Sequence, residues 1–180
     1  MVRSFGRLAT AVFFCFALAA CAGGPRLPLD LADDRPQTSG THIETPDHPL
    51  QCVPYARARS GIALYGDAST WWNAAAGRYE RGSDPKLGAV MVMTGYAGAT
   101  RAHLAVIGAM VSAREIRVDH ANWLNDGAIY VDDPVADVSP GNDWSEVRVW
   151  NPRANAWGIK TYLVQGFIGP GTEDPRVASR

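Results

Sequence analysis

The feature that most restricts the fold is a change of hydrophobic period near residue 87. Before it, residues 53–60 and 67–77 have helical character and end at Gly61 and Gly77. After it come five short runs rich in β-branched residues, separated by Gly, Asn, Asp or Pro: LGAVMVMT (87–94), AHLAVIGAMV (102–111), EIRVDHANW (115–123), SEVRVWN (145–151) and TYLVQGFI (161–168). This order predicts an α+β domain whose N-terminal helices pack on an antiparallel sheet of about five to six strands.

The N-terminal residues have the pattern of a bacterial export signal. Two arginines precede an apolar run that extends to Ala20 and is too short for a comfortable membrane span. The sequence LAAC at residues 18–21 is similar to a lipobox, in which Cys21 becomes the lipid-modified N-terminus. The alternative is an ordinary signal peptide, cut just before or within this sequence. We expect residues 1–20 to be a lipoprotein signal peptide and Cys21 to anchor the protein to a membrane of the cell envelope, facing the periplasm.

The rest of the chain divides into three parts. Residues 21–47 are rich in Pro, Gly, Asp and Thr without an apolar period, which predicts a lipidated N-terminus followed by a flexible tether. Residues 48–168 contain the helical and strand patterns and form the expected domain. Residues 169–180 are expected to be a disordered tail.

The charge balance excludes one class of partner. The 180 residues include 17 Lys and Arg against 18 Asp and Glu, and no basic run occurs, so nucleic acid is not an expected partner. With 47% hydrophobic residues, the chain can bury a substantial core.

Cys52 is the first candidate functional residue. Cys15 would leave with the signal peptide and Cys21 would be lipidated, so Cys52 would be the single thiol of an exported protein, without a disulfide partner. It also stands where the first helix begins. Unpaired N–H groups and the positive end of the helix dipole lower a thiol pKa, so this position predicts a nucleophile.

Two histidines are candidates for its base. His103 opens an apolar strand, where a titratable ring is out of place unless it lines a site. Alternation places Val118, His120 and Asn122 on one face of the following strand. If the two strands pair as a hairpin, His120 can reach His103, and Cys52 against that sheet completes a nucleophile, a base and a group that orients the base.

These residues carry a resemblance to a known family. The blocks QCVPYARARSGI, TWWNAAAGRYERGSDPKLGAVMVM, HLAVI and DHANW occur in the order found in the CHAP domain, the cysteine- and histidine-dependent amidohydrolase/peptidase family. The likeness covers roughly residues 48–168. It implies a papain-like α+β fold and a peptidoglycan hydrolase that cuts either the muramoyl–L-alanine bond or a peptide bond, without a cofactor. Peptidoglycan and the membrane are then the expected partners, and the sequence leaves open whether a partner protein activates the enzyme.

The resemblance also implies roles for single residues: Cys52 as nucleophile and His103 as base. Many members have an acidic residue where this chain has His120, so His120 is the expected orienter of His103. Asn122 is the expected second support, or the orienter itself. Gln51 and the backbone N–H of Cys52 are candidate oxyanion donors. By analogy, Tyr55 and Trp123 would shape the substrate groove.

Two other functions remain open at this point. The replacement of the acidic residue by His120 would also suit a degenerate domain that binds the cell wall or a partner protein without cleaving it. Cys52, His103 and His120 together match a known catalytic zinc ligand set, although no local spacing motif supports a metal. The acid-rich segment DDPVADVSPGND (132–143) is expected to be a solvated loop, because its spacing does not match a calcium-binding loop.

Overall fold

The structure is a computed structural model that describes residues 41–170. The helical segments are α1 (Cys52–Ser60), a 3-10 turn (Ala68–Thr70) and α2 (Trp71–Ala74). The strands are β1 (His42–Glu44), β2 (Arg81–Gly82), β3 (Val90–Thr94), β4 (Ala102–Ser112), β5 (Glu115–Ala121), β6 (Ile129–Asp137), β7 (Glu146–Asn151), β8 (Ala156–Trp157) and β9 (Tyr162–Ile168). The five predicted strands are therefore present, as β3, β4, β5, β7 and β9.

Six strands close into a barrel. Antiparallel pairing runs in the order β6, β5, β4, β3, β9 and β7, and β7 then pairs back onto β6 through Val135 and Val149. The expected papain-like α+β fold, with N-terminal helices packed on an antiparallel sheet, is therefore wrong. The described residues are mostly β, with two short α-helices, and the sheet closes on itself.

The missed strand β6 explains the error. Residues 132–143 were expected to form a solvated loop, but β6 extends to Asp137 and pairs with both β5 and β7. Two of its three aspartates are buried, since Asp133 is fully buried and Asp137 is 4% exposed, while Asp132 is half-buried. Asp137 has partners on both oxygens: its Oδ1 accepts the backbone N–H of Ser139 at 2.8 Å, and Arg114 approaches its Oδ2. The aspartates of β6 thus gave this barrel strand the sequence pattern of a loop.

The barrel interior is one hydrophobic core to which all six strands contribute. It includes Met93, Ile107, Val118, Val149 and Phe167, each almost fully buried. Side chains alternate across a strand, so His103 shares the inward face of β4 with Ala105 and Ile107. In the same way His120 shares the inward face of β5 with Val118.

The helical segments cover the outer face of β3 and β4. Trp71 and Ile62 pack there against Val92 and Leu104 in a second hydrophobic core. Helix α1 ends as predicted, at Gly61 in the left-handed region with φ 76°. The second helical piece is shorter than expected: Asp67 caps only a 3-10 turn, and α2 has four residues.

The described chain starts with a strand. β1 pairs with β6 from His42 opposite Val131 to Glu44 opposite Ile129, inside the region expected to be tether. The expected signal peptide, the lipidation site Cys21, most of the tether and the tail from residue 171 lie outside the described residues. Between residues 41 and 170, no helix has both the length and the apolar character needed to cross a membrane.

Candidate active site

A cleft at one end of the barrel brings the candidate residues together. The end of β3, the start of β4 and the end of β5 meet there, because neighbouring strands are antiparallel. The cleft has a volume of about 460 Å³. Its lining residues are Gln51, Cys52, Tyr96, Ala97, Arg101, Ala102, His103, Asn122, Trp123, Leu124 and Asn125.

Cys52 is the first residue of α1 and is half-buried between the cleft and the outer core. Burial raises the pKa of the Cys52 thiol, although the backbone N–H groups of Leu104, Val53 and Cys52 itself act in the opposite direction. The expected lowering of this pKa by the helix start is therefore outweighed by the loss of water. The resting thiol is protonated.

His103 reaches His120 as the strand pattern suggested. His103 Nε2 and His120 Nδ1 are 3.1 Å apart, within hydrogen-bonding distance. Both rings are buried. Burial, and secondarily the neighbouring His120, hold the pKa of His103 well below its usual 6.5. His103 is therefore a neutral imidazole at pH 7, which is the form a general base requires.

A third buried group, missed by the sequence analysis, continues this contact. His120 Nε2 lies 3.1 Å from Asp133 Oδ2 on β6, and both side chains are fully buried. Burial raises the pKa of Asp133, while the hydrogen bond to His120 and the charge of Arg117 act against that rise. The apolar alternation around Asp133 was the available signal, but the adjacent Asp132 and Pro134 obscured it.

Asn122 is brought to Gln51 rather than to His103. Its Nδ2 donates to Gln51 Oε1 at 2.9 Å, and its Oδ1 accepts the backbone N–H of Gly127 at 2.8 Å. Asn122 has φ 61°, a left-handed conformation that asparagine tolerates better than most residues. Gln51 lines the cleft, and this contact to its amide oxygen leaves its NH₂ group available as a hydrogen-bond donor.

The loop after β5 also supports the segment that precedes the thiol. The backbone N–H of Leu50 donates to the carbonyl of Gly127 at 3.0 Å. A side chain at position 127 would collide with Pro49, because an added Cβ would lie 2.5 Å from the Cβ of that proline. Close backbone contact thus fixes the loop against the start of α1.

Aromatic rings surround the histidine pair, His103 and His120. Trp123 stacks on His120 with ring centroids 5.2 Å apart, and Tyr96 lies 4.8 Å from His103. The Tyr96 hydroxyl donates to the backbone carbonyls of Asn122 and Trp123. Trp123 and Tyr96 both line the cleft, and no sequence motif indicated Tyr96.

Tyr55 occupies a different position. It does not line the cleft. Burial is the main cause that raises the pKa of Tyr55 to about 12; the charge of Asp119 adds to this rise, and the charge of Arg59 opposes it. Asp119 accepts from Arg59 Nε at 2.8 Å and from the backbone N–H of Asp132. This ion pair joins α1 to β5.

The arrangement does not resemble a metal centre. Among residues 41–170, no group of three or more His, Cys, Asp or Glu side chains is placed to hold a metal ion. His120 directs one ring nitrogen to His103 and the other to Asp133. A zinc ion on Cys52, His103 and His120 would have to displace one of these contacts.

Comparison with known protein families gives one match. The family model described as the CHAP domain matches residues 43–122, which confirms the resemblance seen in the sequence. The matched region contains Cys52, His103, His120 and Asn122, and it ends before Asp133. A search of curated proteins and a search of solved structures found no match.

Proposed function

Because residues 43–122 belong to the CHAP domain family, we propose that this protein is a cysteine-dependent hydrolase that cleaves an amide bond of peptidoglycan. CHAP domains are usually amidohydrolases or peptidases. The observation that carries the proposal is the shared cleft, which is lined by both a half-buried Cys52 at a helix start and a neutral His103.

The reaction starts from a neutral pair. Cys52 Sγ attacks the carbonyl carbon of the amide while its proton passes to His103, which becomes an imidazolium. His103 then gives that proton to the departing nitrogen, the C–N bond breaks, and a thioester and a free amine result. Water attacks the thioester, again with His103 accepting a proton. The thiol is restored and a carboxylic acid leaves.

The negative charge that develops on the carbonyl oxygen needs donors. Gln51 lines the cleft with its amide oxygen held by Asn122, and the backbone N–H of Cys52 lies at the helix start. Donors held in place in this way stabilise a tetrahedral intermediate at low reorganisation cost.

The cleft also suits an acidic substrate. His103 is neutral, so Arg101 carries the only charged side chain among the described residues that line the cleft. Peptide chains of peptidoglycan carry free carboxylates, which an arginine binds well. Analysis of the digestion products identifies which amide is cut, the muramoyl–L-alanine bond or a peptide bond.

Digestion of purified cell-wall material tests the proposal. We expect wild-type protein to release new amino groups, and Cys52→Ala and Cys52→Ser to release none above background. Mass spectrometry of the fragments identifies the bond. Equal digestion by Cys52→Ala would refute the proposed chemistry.

One observation favours a second candidate, a domain that binds the wall without cutting it. The raised pKa of the Cys52 thiol means that burial works against a resting thiolate. Alkylation by iodoacetamide separates the two functions: an unassisted thiol reacts slowly near pH 7, and His103→Ala leaves the rate unchanged. An assisted thiol slows when His103 is removed.

We also propose that the chain is exported and anchored through Cys21. The proposal is supported by the sequence alone. Mass spectrometry of the mature N-terminal peptide tests it, since a lipidated Cys21 adds the mass of its acyl groups, whereas an ordinary signal peptide leaves an unmodified N-terminus.

A further inference from the structure

A buried polar chain extends from the cleft into the barrel and ends at a carboxylate. Two contacts of 3.1 Å link His103 on β4 to His120 on β5, and His120 to Asp133 on β6. His103 is 1% exposed, and the other two side chains are fully buried. The three side chains are shielded from bulk solvent, so their hydrogen positions depend mainly on one another.

The charge state of Asp133 sets those positions. A carboxylate only accepts, so the nitrogen that faces it, His120 Nε2, must carry a hydrogen. When each imidazole carries one N–H, His120 Nδ1 accepts, and its partner His103 Nε2 carries the next hydrogen. His103 Nδ1 is then left with its lone pair, ready to take the proton of Cys52.

We propose that Asp133 is a positioning residue of the catalytic site, which acts through His120 to hold His103 in the tautomer that can accept a proton from Cys52. Many CHAP domains have an acidic residue at the position that His120 occupies here. Asp133, on the neighbouring strand β6, supplies a carboxylate in its place. The inference deepens the proposed function and rests on it for the role of the thiol.

Stability does not account for Asp133. Its Oδ2 meets His120, while its Oδ1 has no hydrogen-bond partner among the described residues. A buried carboxylate with an unsatisfied oxygen costs stability. Asp137, four residues later on the same strand, instead has a backbone donor on one oxygen and Arg114 near the other. Asp137 has the contacts of a structural carboxylate, and Asp133 does not.

Nitrogen-15 NMR of the histidine rings tests the proposal without any substrate. In the wild-type protein near pH 7, we expect both His103 and His120 to carry their hydrogen on Nε2. In Asp133→Asn the amide can donate as well as accept, so the His103 Nε2–H form is no longer enforced and its fraction falls. Alkylation of Cys52 by iodoacetamide should slow by at least about 10-fold in the same variant.

Asp137→Asn is the matched control, because it makes the same change to a buried carboxylate of β6 and should leave the ring signals and the alkylation rate as in wild type. A wild-type spectrum with the His103 hydrogen on Nδ1 would overturn the proposal, even if Asp133→Asn does not fold. Unchanged tautomers and alkylation in a folded Asp133→Asn would overturn it as well. Intact tautomers with no wall digestion would count against the proposed function alone.

Discussion

At the scale of single residues, burial decides the chemistry of the site. It raises the pKa of Cys52 and lowers that of His103, so both groups are uncharged at rest. An ion pair of thiolate and imidazolium would need the opposite shifts. In the proposed reaction the proton therefore moves from Cys52 to His103 during the attack rather than before it.

This resting state predicts the acid limb of the pH profile. His103 acts as a base only when it is unprotonated, and its pKa lies well below the usual 6.5. Lowering the pH through 6.5 should therefore leave kcat/KM nearly unchanged, and the loss should come only at clearly lower pH. The measurement is kcat/KM on solubilised wall fragments between about pH 4 and pH 8. A half-maximal rate at or above pH 6.5 would contradict the neutral pair.

Gln51 and Asn122 should act as one unit. Gln51→Ala removes an oxyanion donor and should lower kcat by about 10²-fold, with little change in KM. Asn122→Gly tolerates the positive φ of this position but releases Gln51, so it should lower kcat less. Because Asn122 acts through Gln51, the double variant should be no slower than Gln51→Ala. If the fold-losses in kcat of the two single variants multiply in the double variant, the two residues act separately.

At the scale of elements, the position of α1 depends on a contact near its C-terminal end. Arg59 forms a salt bridge with Asp119 of β5 at 2.8 Å, and the Asp119 side chain is 7% exposed against 48% for Arg59. The nearly buried carboxylate also accepts the backbone N–H of Asp132. Losing the arginine would leave a charge with reduced access to water.

Arg59→Gln should therefore lower the free energy of unfolding by about 1–3 kcal/mol. Arg57→Gln is the matched control on the same helix. Arg57 lies over the ring of the exposed Tyr65, and its loss should cost about 0.5 kcal/mol or less. Urea unfolding of the three proteins measures both values. Equal stability of the two variants would show that the salt bridge does not hold α1 in place.

At the scale of the whole molecule, β6 closes the barrel and carries Asp133 into it. Its residues 135–137 pair with β7, and its earlier part pairs with β5 and β1. A strand with partners on both sides opens only when the barrel opens. Among the strands of residues 41–170, β1 pairs with β6 alone and lies at the end of the sheet order.

Hydrogen exchange should report this difference. Paired amides of β4, β5 and β6 should exchange only through global unfolding, whereas those of β1 should exchange by local opening and much faster. Native-state exchange followed by NMR gives the opening free energy of each amide. Amides between β6 and β7 that exchange as fast as those of β1 would show that the barrel is not closed in solution.

Local patterns were sufficient for some features. The helix start at Cys52, the helix end at Gly61 and five of the barrel strands follow from capping residues, glycine and side-chain alternation over a few residues. The pairing of the strands that carry His103 and His120 follows from the short turn between them. Each of these depends on residues close together in sequence.

Features that depend on burial and on distant pairing required the tertiary structure. β6 has an acid-rich sequence typical of a loop, and only its pairing with β5 and β7 makes it a strand, closes the barrel and places Asp133 behind His120. The raised pKa of Cys52 likewise comes from desolvation, which packing produces and a helix start cannot predict. The sequence therefore pointed to the thiol and the two histidines as candidates, while the fold decided the charge states of Cys52 and His103 and placed a carboxylate beside His120, because desolvation and long-range pairing leave no local pattern.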